Sequence, residues 1–202
     1  MMTIMRNKSI QGSAQKRKEI THDRIVEVAA RAIRRSGYGG TGVAEIMKEA
    51  GLTHGGFYAH FESRDALLAE AGHRAGAESV ALASRVAAAA PAGQAIQALM
   101  EAYLSPEHIG AIETGCPVSA LCSEMPRQSS EVRRAATLHI KEMIDLIARQ
   151  LPDWGQPPAH EKAMTMLCAL IGTTMIARAV DDSALSEALC AATMKQFNSA
   201  TE

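Results

Sequence analysis

Apolar residues recur at helical spacing along nearly the whole chain, and the apolar and polar alternation typical of strands is almost absent. The first predicted helix runs from about residue 14 or 16 to residue 35, with four arginines (24, 31, 34 and 35) outside its apolar stripe. That stripe consists of Ile25, Val28, Ala29, Ala32 and Ile33. The pattern predicts an all-α protein.

Glycine, proline and capping residues divide the rest of the chain. Gly51 is expected to end a short helix over residues 42–50, Thr53 to cap a very short helix ending near His60, and Ser63 to cap a long helix. Proline is expected at the first position of helices beginning at residues 106 and 117. The long predicted helices cover residues 64–90, 130–151, 159–180 and 183–198.

The most informative segment, residues 41–67, reads TGVAEIMKEAGLTHGGFYAHFESRDAL. Two short helices joined by a glycine turn have the geometry of a helix-turn-helix, whose second helix enters the DNA major groove. Gly55 and Gly56 let the backbone approach DNA closely, while Thr53 and His54 can reach bases or phosphates. Phe57 and Phe61 lie one turn apart and are expected to pack inward. This leaves Tyr58 and His60 on faces where each can donate to phosphate.

This segment closely resembles the TetR family of bacterial transcriptional regulators over about residues 24–67, through the framework GY…T…EI…AGLT…G.FY.HF.S..AL. The resemblance implies a recognition helix at residues 53–60, with Thr53, His54 and Gly55 facing bases. It also implies phosphate contacts by Thr41, Gly42, Tyr58, His60 and Arg64. Two positions depart from the family pattern. Met47 replaces a common alanine and could space the two helices wider, and Gly56 replaces a small polar residue or alanine and removes one contact.

Charge is distributed unevenly, although the net charge is only −1. Residues 1–64 carry eleven Lys and Arg against six Asp and Glu, whereas the rest carries ten against sixteen. A basic module that meets a polyanion is therefore expected beside an acidic body. We expect a flexible tail over residues 1–15, a DNA-binding domain over 16–63 and a ligand-binding and dimerisation domain over 64–202. Lys16 and Arg17, at the start of the basic module, either contact DNA or form a solvated tail.

The last two helices, about 159–180 and 183–198, predict a homodimer, because they are apolar around much of their circumference. Small residues at four-residue spacing, such as Cys168 and Gly172, permit close helix approach. Closing the monomer core is the alternative role. The apolar candidates for the interface are Leu167, Leu170, Ile171, Thr174, Met175, Leu185, Leu189 and Ala192.

The acidic body is expected to bind a small apolar or electrophilic inducer in a methionine-rich cavity, although methionine also fills ordinary cores. The candidate lining residues are Tyr103, Cys116, Met125, His139 and Met164. Cys116 precedes Pro117 as a helix N-cap, a position that favours thiolate. The stretch of residues 114–128, TGCPVSALCSEMPRQ, is similar to a subgroup of TetR-type regulators in which a cysteine here senses electrophiles or oxidants. An inert thiol beside the cavity is the alternative.

The sequence thus predicts a cytoplasmic, ligand-responsive regulator that binds a palindromic double-stranded DNA operator as a dimer. Ligand binding is expected to tilt the helix of residues 64–90 and so to change the separation of the two recognition helices. Repression released by ligand is the common arrangement in the family, and activation stays open. A catalytic pair of Cys116 with His108 or His139 lacks an orienting third group, so no enzyme is expected. The sequence predicts no metal site, cofactor, secretory signal or membrane span. A DNA-binding protein without an inducer is the alternative reading.

Overall fold

The computed structural model describes residues 2–198 of the chain, with side chains described over residues 15–197. These residues contain α-helices and short 3₁₀ helices and no strand, as the apolar pattern predicts. The helices are α1 (Met2–Ser36), α2 (Val43–Glu49), α3 (Arg64–Ala89), α4 (Ala95–Tyr103), α5 (Pro106–Gly110), α6 (Pro117–Leu121), α7 (Ser130–Ala148), α8 (Pro157–Ala179) and α9 (Ser183–Asn198). Two 3₁₀ helices cover His54–Ala59 and Met125–Arg127. No helix in the described part of the chain has the length and apolarity needed to cross a bilayer.

Helix α1 begins well before the predicted start near residue 14 or 16, and its backbone is helical from Met2. Residues 2–13 hold no proline and a single glycine, Gly12. Once a helix is nucleated, each added residue gains a hydrogen bond, so nothing in this segment forces the helix to stop. The expected flexible tail over residues 1–15 is therefore largely an extension of α1, and its first residue lies outside the described part.

A Schellman motif ends α2 at the glycine that the sequence indicates. Gly51 has a left-handed φ of 71°, its amide donates to the Lys48 carbonyl oxygen at 3.0 Å, and the Leu52 amide donates to the Met47 carbonyl oxygen at 2.8 Å. A side chain at this φ would be strained, which explains why glycine stands there. The turn fixes the angle at which the next segment leaves α2.

Two apolar clusters hold the molecule together. The first joins α1, α2 and the beginning of α3 around the fully buried Ile25, Ile33, Ile46 and Leu67. The second joins α4, α7 and α8 around Met100, Ala148 and Ala163. Helix α3 packs on both α1 and α7. It therefore connects the two clusters directly, and Ser63 caps its start by accepting a hydrogen bond from the Ala66 amide at 3.0 Å.

Candidate nucleic-acid interface and internal cavity

The segment after α2 forms a 3₁₀ helix, His54–Ala59, in the place where the sequence predicts the recognition helix. Two adjacent glycines disfavour a longer α-helix, which explains the tighter and shorter form. Thr53 is the N-cap residue, as predicted, but its side chain makes no capping hydrogen bond. Its carbonyl oxygen instead accepts from the Gly56 amide at 3.1 Å. The threonine side chain is exposed and is not used by the cap.

Phe57 and Phe61 anchor this helix, confirming the predicted inward face. Their rings stack at 5.6 Å between centroids, and they are 2% and 3% exposed. His22 of α1 stacks on Phe61 at 4.5 Å. The opposite face carries exposed Thr53, His54 and Gly55. Tyr58 is also on the surface, 74% exposed. These side chains lie where the sequence predicts contacts with DNA.

Two of the predicted phosphate contacts have interior roles in this structure. Thr41 is buried because its hydroxyl donates to the Gly37 carbonyl oxygen at 2.6 Å. Arg64 is half-buried and donates to the carbonyl oxygens of Tyr38 and Thr41. Both side chains hold the turn between α1 and α2. The Thr41 hydroxyl and the Arg64 Nη2 atom are thus used within the protein, and the predicted direct contacts with phosphate are not supported by these bonds.

His60 closes the 3₁₀ helix and is half-buried beside His22, with 6.1 Å between the ring centroids. Burial lowers the pKa of its imidazole, and the neighbouring His22 and Lys18 lower it further. Its Nδ1 atom is shielded and has no hydrogen-bond partner in the described part of the chain. A neutral His60 can donate a hydrogen bond to phosphate but does not supply a charge.

The remaining predicted interface residues lie on the surface of α1 and α2. Lys16 and Arg17 are exposed on α1, within a continuous helix. Gly42 is the exposed N-cap of α2. Gly56 is half-buried, and a β-carbon there would lie 3.7 Å from the Met47 methyl carbon. Met47 therefore packs beneath the glycine, and the two departures from the family pattern complement each other.

The body contains an internal cavity with two neighbouring lobes that share Ser79, Met143 and Leu167 in their walls. The first lobe is partly open, has a volume of about 50 Å³ and is lined by Tyr103 and His108. The second has a volume of about 20 Å³ and is lined by Cys116 and His139. Three of the predicted ligand residues, Tyr103, Cys116 and His139, are thus brought together.

Met125 and Met164 were also predicted at the cavity and line neither lobe. Met125 lies in a 3₁₀ helix and packs against the first apolar cluster. Met164 is 45% exposed on the outward face of α8. Methionine content alone does not distinguish a cavity wall from a core or a surface, which accounts for both errors.

Cys116 is the N-cap of α6, as predicted, and is 4% exposed. Its side chain makes no capping hydrogen bond, in keeping with the weak acceptor character of sulfur. The Ser119 hydroxyl donates to the Cys116 carbonyl oxygen at 2.9 Å. The thiol belongs to the cavity wall, and only a molecule that enters the cavity can reach it.

His139 packs directly against Gly76, which the sequence did not single out. A β-carbon on Gly76 would overlap the imidazole ring. His139 Nδ1 lies 2.7 Å from a Glu142 carboxylate oxygen, while the ring of His73 meets it edge-on at 4.7 Å. The glycine therefore allows α3 and α7 to approach closely beside the second lobe.

Two arginines, buried Arg34 and half-buried Arg178, connect the cavity wall to other helices, and sequence reasoning missed both. Arg34, expected outside the apolar stripe of α1, is 3% exposed. It donates to the carbonyl oxygens of Ala75 at 2.8 Å and Glu113 at 3.2 Å and pairs with Glu78 at 3.0 Å. These three partners allow the guanidinium to be buried. Its position beside Ile33 gives no signal of them, because all three are distant in sequence.

Arg178 of α8 holds the other side of the same wall. It donates to the carbonyl oxygens of His108 at 2.8 Å and Ile109 at 2.9 Å. It also reaches the Ser119 hydroxyl oxygen at 3.1 Å. The segment of residues 108–119 is thus bonded to α1 on one side and to α8 on the other.

Comparisons with known proteins agree with this two-part arrangement. Residues 25–71 match the family described as "Bacterial regulatory proteins, tetR family". Residues 91–190 match "Transcriptional regulator LmrA/YxaF-like, C-terminal domain". The uncharacterized HTH-type transcriptional regulator Rv0196 of Mycobacterium tuberculosis is 28% identical over 165 residues, which cover 77% of this chain and 83% of that protein.

Solved structures show the same fold. The reduced form of Escherichia coli NemR aligns with a TM-score of 0.74 and 18% identity, covering 86% of this chain and 94% of that one. A TetR-family regulator from Agrobacterium tumefaciens aligns with a TM-score of 0.75 and 19% identity, covering 89% and 98%. At these identities the likeness concerns the fold.

Proposed function

The chain belongs to the TetR family of helix-turn-helix transcriptional regulators, and on that premise we propose that it binds a palindromic operator as a homodimer and leaves it when a small apolar molecule fills the body cavity. In this proposal residues 16–63 form the DNA-binding domain. Residues 64–202 form the ligand-binding and dimerisation domain. The protein acts in the cytoplasm, bound to the nucleoid while it represses.

The observation that supports the proposal most strongly is the exposed face of the 3₁₀ helix, where glycine leaves the backbone accessible. Buried Phe57 and Phe61 hold this helix in place. Thr53 and His54 project from this face and are assigned to base edges, and Gly55 lets the backbone come close. Tyr58, Gly42, Lys16 and Arg17 are assigned to the phosphates. Because phosphate contacts carry no sequence information, base discrimination rests on Thr53 and His54.

Thr41, His60 and Arg64 are assigned mainly to positioning. Thr41 and Arg64 fix the turn that precedes α2, and His60 offers a neutral hydrogen-bond donor at the end of the 3₁₀ helix. Gly56 has no side chain, and the Met47 side chain packs against it. These residues set the height and tilt of the recognition face rather than the sequence it reads.

Dimerisation through α8 and α9 is supported by their exposed apolar residues. Met164 is 45%, Ile176 51% and Leu185 46% exposed, and Cys168 is exposed on the same helix as the first two. Leu167, Leu170 and Thr174 belong instead to the monomer interior, at 5%, 3% and 0% exposed. The outward residues of the two helices can pair with a second copy around a two-fold axis.

Coupling between the cavity and the DNA face is assigned to the segment of residues 108–119. Its wall residues touch the ligand space, and its Glu113 carbonyl oxygen is bonded to Arg34 of α1. A ligand that displaces this segment alters the packing of α1 on α3 and thereby the tilt of the recognition helix. Linkage then requires that DNA weaken ligand binding by the same factor.

The direct experiment is selection of duplex DNA from a random pool, followed by fluorescence anisotropy with the selected duplex. His54→Ala is expected to weaken binding by about 1–3 kcal/mol and to relax the preferred base at one position. His160→Ala, in α8 of the body, is the matched control and is expected to leave binding unchanged. Wild-type affinity together with an unchanged base preference in the His54→Ala variant would remove His54 from the reading face.

A further inference from the structure

We propose that the molecule bound in the first lobe of the cavity is neutral and largely apolar and carries one hydroxyl or carbonyl group that hydrogen-bonds to Tyr103 and His108. This inference rests on the proposed function, because it names the ligand class of the cavity assigned there to the inducer.

Two polar atoms in the first lobe lack partners. The Tyr103 hydroxyl and the His108 Nε2 atom are both shielded from solvent, and neither makes a hydrogen bond of ordinary geometry in the described part of the chain. The Cys116 thiol and the Ser119 hydroxyl lie close enough to the Tyr103 hydroxyl to influence its pKa. Their rings lie 4.7 Å apart between centroids, and both line the first lobe. Buried polar groups in proteins are normally hydrogen-bonded, so a pair of unsatisfied atoms facing one cavity marks a place for a ligand atom.

Apart from Ser79, the rest of the first lobe is lined by apolar residues and offers no ionic contact. Its walls include Leu82, Val86, Leu99, Ile147 and Leu170, and none of its lining residues is Asp, Glu, Lys or Arg. A cationic ligand would lose its hydration without meeting a carboxylate. An anionic one would meet only Arg178 outside the lining, whose guanidinium is already bonded to two carbonyl oxygens and the Ser119 hydroxyl. The body of the ligand is therefore apolar.

The two polar residues themselves are uncharged at neutral pH. Burial lowers the pKa of His108 to about 4, and the positive charge of Arg178 contributes. Burial raises the pKa of Tyr103 well above its ordinary value, and the neighbouring Cys116 thiol contributes. Arg178 directs its guanidinium to two carbonyl oxygens and the Ser119 hydroxyl, so it is already engaged within the protein.

A phenolic hydroxyl donates and accepts, and a neutral imidazole has one donor and one acceptor nitrogen. One oxygen placed between Tyr103 and His108 matches both groups: a hydroxyl can donate to one and accept from the other, and a carbonyl can accept from both. A carboxylate brings a charge that neither group balances. The pair therefore selects a neutral oxygen over an anionic one.

Three probes of the same shape separate these possibilities: para-propylphenol, propylbenzene and para-propylbenzoate. We expect calorimetric titration of the full chain to show para-propylphenol binding about tenfold more tightly than propylbenzene, since one buried hydrogen bond gives about that factor. Para-propylbenzoate is expected not to bind measurably. Equal or tighter binding of the benzoate, equal binding of propylbenzene and the phenol, or no binding of any probe to the folded protein would overturn the inference.

Variants locate the binding. Tyr103→Phe keeps the ring and removes the hydroxyl, so the preference for the phenol over propylbenzene is expected to fall from about tenfold to about twofold. His160→Asn, at a position that lines neither lobe, is expected to keep the tenfold preference. His108→Asn provides a second test should Tyr103→Phe fold poorly. An undiminished preference in both cavity variants would contradict the assignment.

Operator affinity, measured on the same samples, separates this inference from the proposed function. Tight phenol binding without any change in operator affinity would contradict the regulatory role and support the chemistry of the cavity. Operator release by the benzoate and not by the phenol would support regulation and overturn the ligand class.

Discussion

Met47 and Gly56 fit together across the helix-turn-helix, because the Met47 methyl carbon lies 3.7 Å from the position that a β-carbon on Gly56 would take. A methyl group at Gly56 would thus meet Met47 in ordinary contact. At the adjacent Gly55 a β-carbon would meet nothing within 4 Å. The first glycine faces open space, and the second lies over the protein interior.

This difference makes Gly55→Ala and Gly56→Ala a matched pair. Neither glycine has a positive φ, so alanine is expected to keep or raise the free energy of unfolding, by about 0.4–1 kcal/mol. If Gly55 lets the backbone approach DNA, Gly55→Ala is expected to weaken operator binding about tenfold. Gly56→Ala is expected to have a much smaller effect.

Anisotropy titrations and urea unfolding of both variants check this prediction. Wild-type operator affinity in a folded Gly55→Ala protein would show that the backbone does not approach DNA at this point.

The outward apolar residues of α8 predict the oligomeric state. Ile176→Asp places a charge on a side chain that is 51% exposed, so it is expected to leave the monomer folded and to shift the dimer toward monomer. Burying an unpaired carboxylate in an interface costs several kcal/mol. Ile112→Asp is the matched control, at 48% exposed between α5 and α6.

Sedimentation velocity over a concentration series measures the effect, with circular dichroism to confirm folding. Dimers of unchanged strength in Ile176→Asp would place the interface elsewhere.

The hydrogen bonds of Arg34 lead to a prediction about the coupling between the cavity and the DNA-binding face. Arg34→Met removes the hydrogen bonds to the Ala75 and Glu113 carbonyl oxygens and the pairing with Glu78. We expect the free energy of unfolding to fall by about 3 kcal/mol or more, because buried acceptors are left unpaired. We also expect ligand affinity to persist while its effect on operator affinity shrinks.

The coupling is measured by calorimetric titration of the ligand with and without operator, and by anisotropy titration of the operator with and without ligand. Arg31→Met is the control, since Arg31 pairs only with Glu27 one turn away, at 3.0 Å. Full coupling in folded Arg34→Met would place the route elsewhere.

His108 predicts a pH dependence of stability. Its pKa is about 4 in the folded chain, against 6.5 as the ordinary value. Between these pH values the unfolded chain binds more protons at this residue, so its contribution to stability is present above pH 6.5 and is lost as pH falls toward 4.

His108→Asn is expected to flatten the fall in the free energy of unfolding over this pH range. Urea unfolding of both proteins at several pH values measures it. An identical slope in the variant would show that His108 does not titrate with folding.

Cys116 predicts the order of reaction with N-ethylmaleimide. Cys122 and Cys168 are exposed, whereas Cys116 is 4% exposed in the cavity wall. Because Cys168 lies on the helix assigned to the dimer, the experiment uses a Cys168→Ser background. We expect mass spectrometry to show Cys122 labelled first, with operator binding retained, and release only when Cys116 is labelled. Cys116→Ser is expected to prevent release, and Cys122→Ser to leave it unchanged. Release that is complete while Cys116 is still unlabelled would assign the thiol an inert role.

Local sequence signals predicted the elements that local chemistry determines. Gly51 ends α2 through a Schellman motif, Ser63 caps α3, and the stripe of Phe57 and Phe61 is buried. Each depends on residues within a few positions of one another. Such signals sufficed for the helix-turn-helix and for most of the helix ends.

Signals that depend on distant partners were missed. Arg34 is buried only because Ala75, Glu78 and Glu113 supply acceptors from other elements. The start of α1 was also missed, for a different reason. The segment before residue 14 contains no helix-breaking proline that would indicate where the helix begins. The cavity was found in part because Tyr103 and Cys116 are chemically distinctive, whereas methionines are common everywhere in the body.

The central claim is that two copies of the chain place their recognition helices together on one duplex. Sedimentation equilibrium of the protein with a duplex selected from a random pool tests it most directly. We expect a palindromic site carrying an even number of chains, with half-site centres about one helical turn of 10–10.5 base pairs or a multiple apart. Affinity should fall steeply as salt rises. A protein that stays monomeric and binds no duplex at low ionic strength would contradict it.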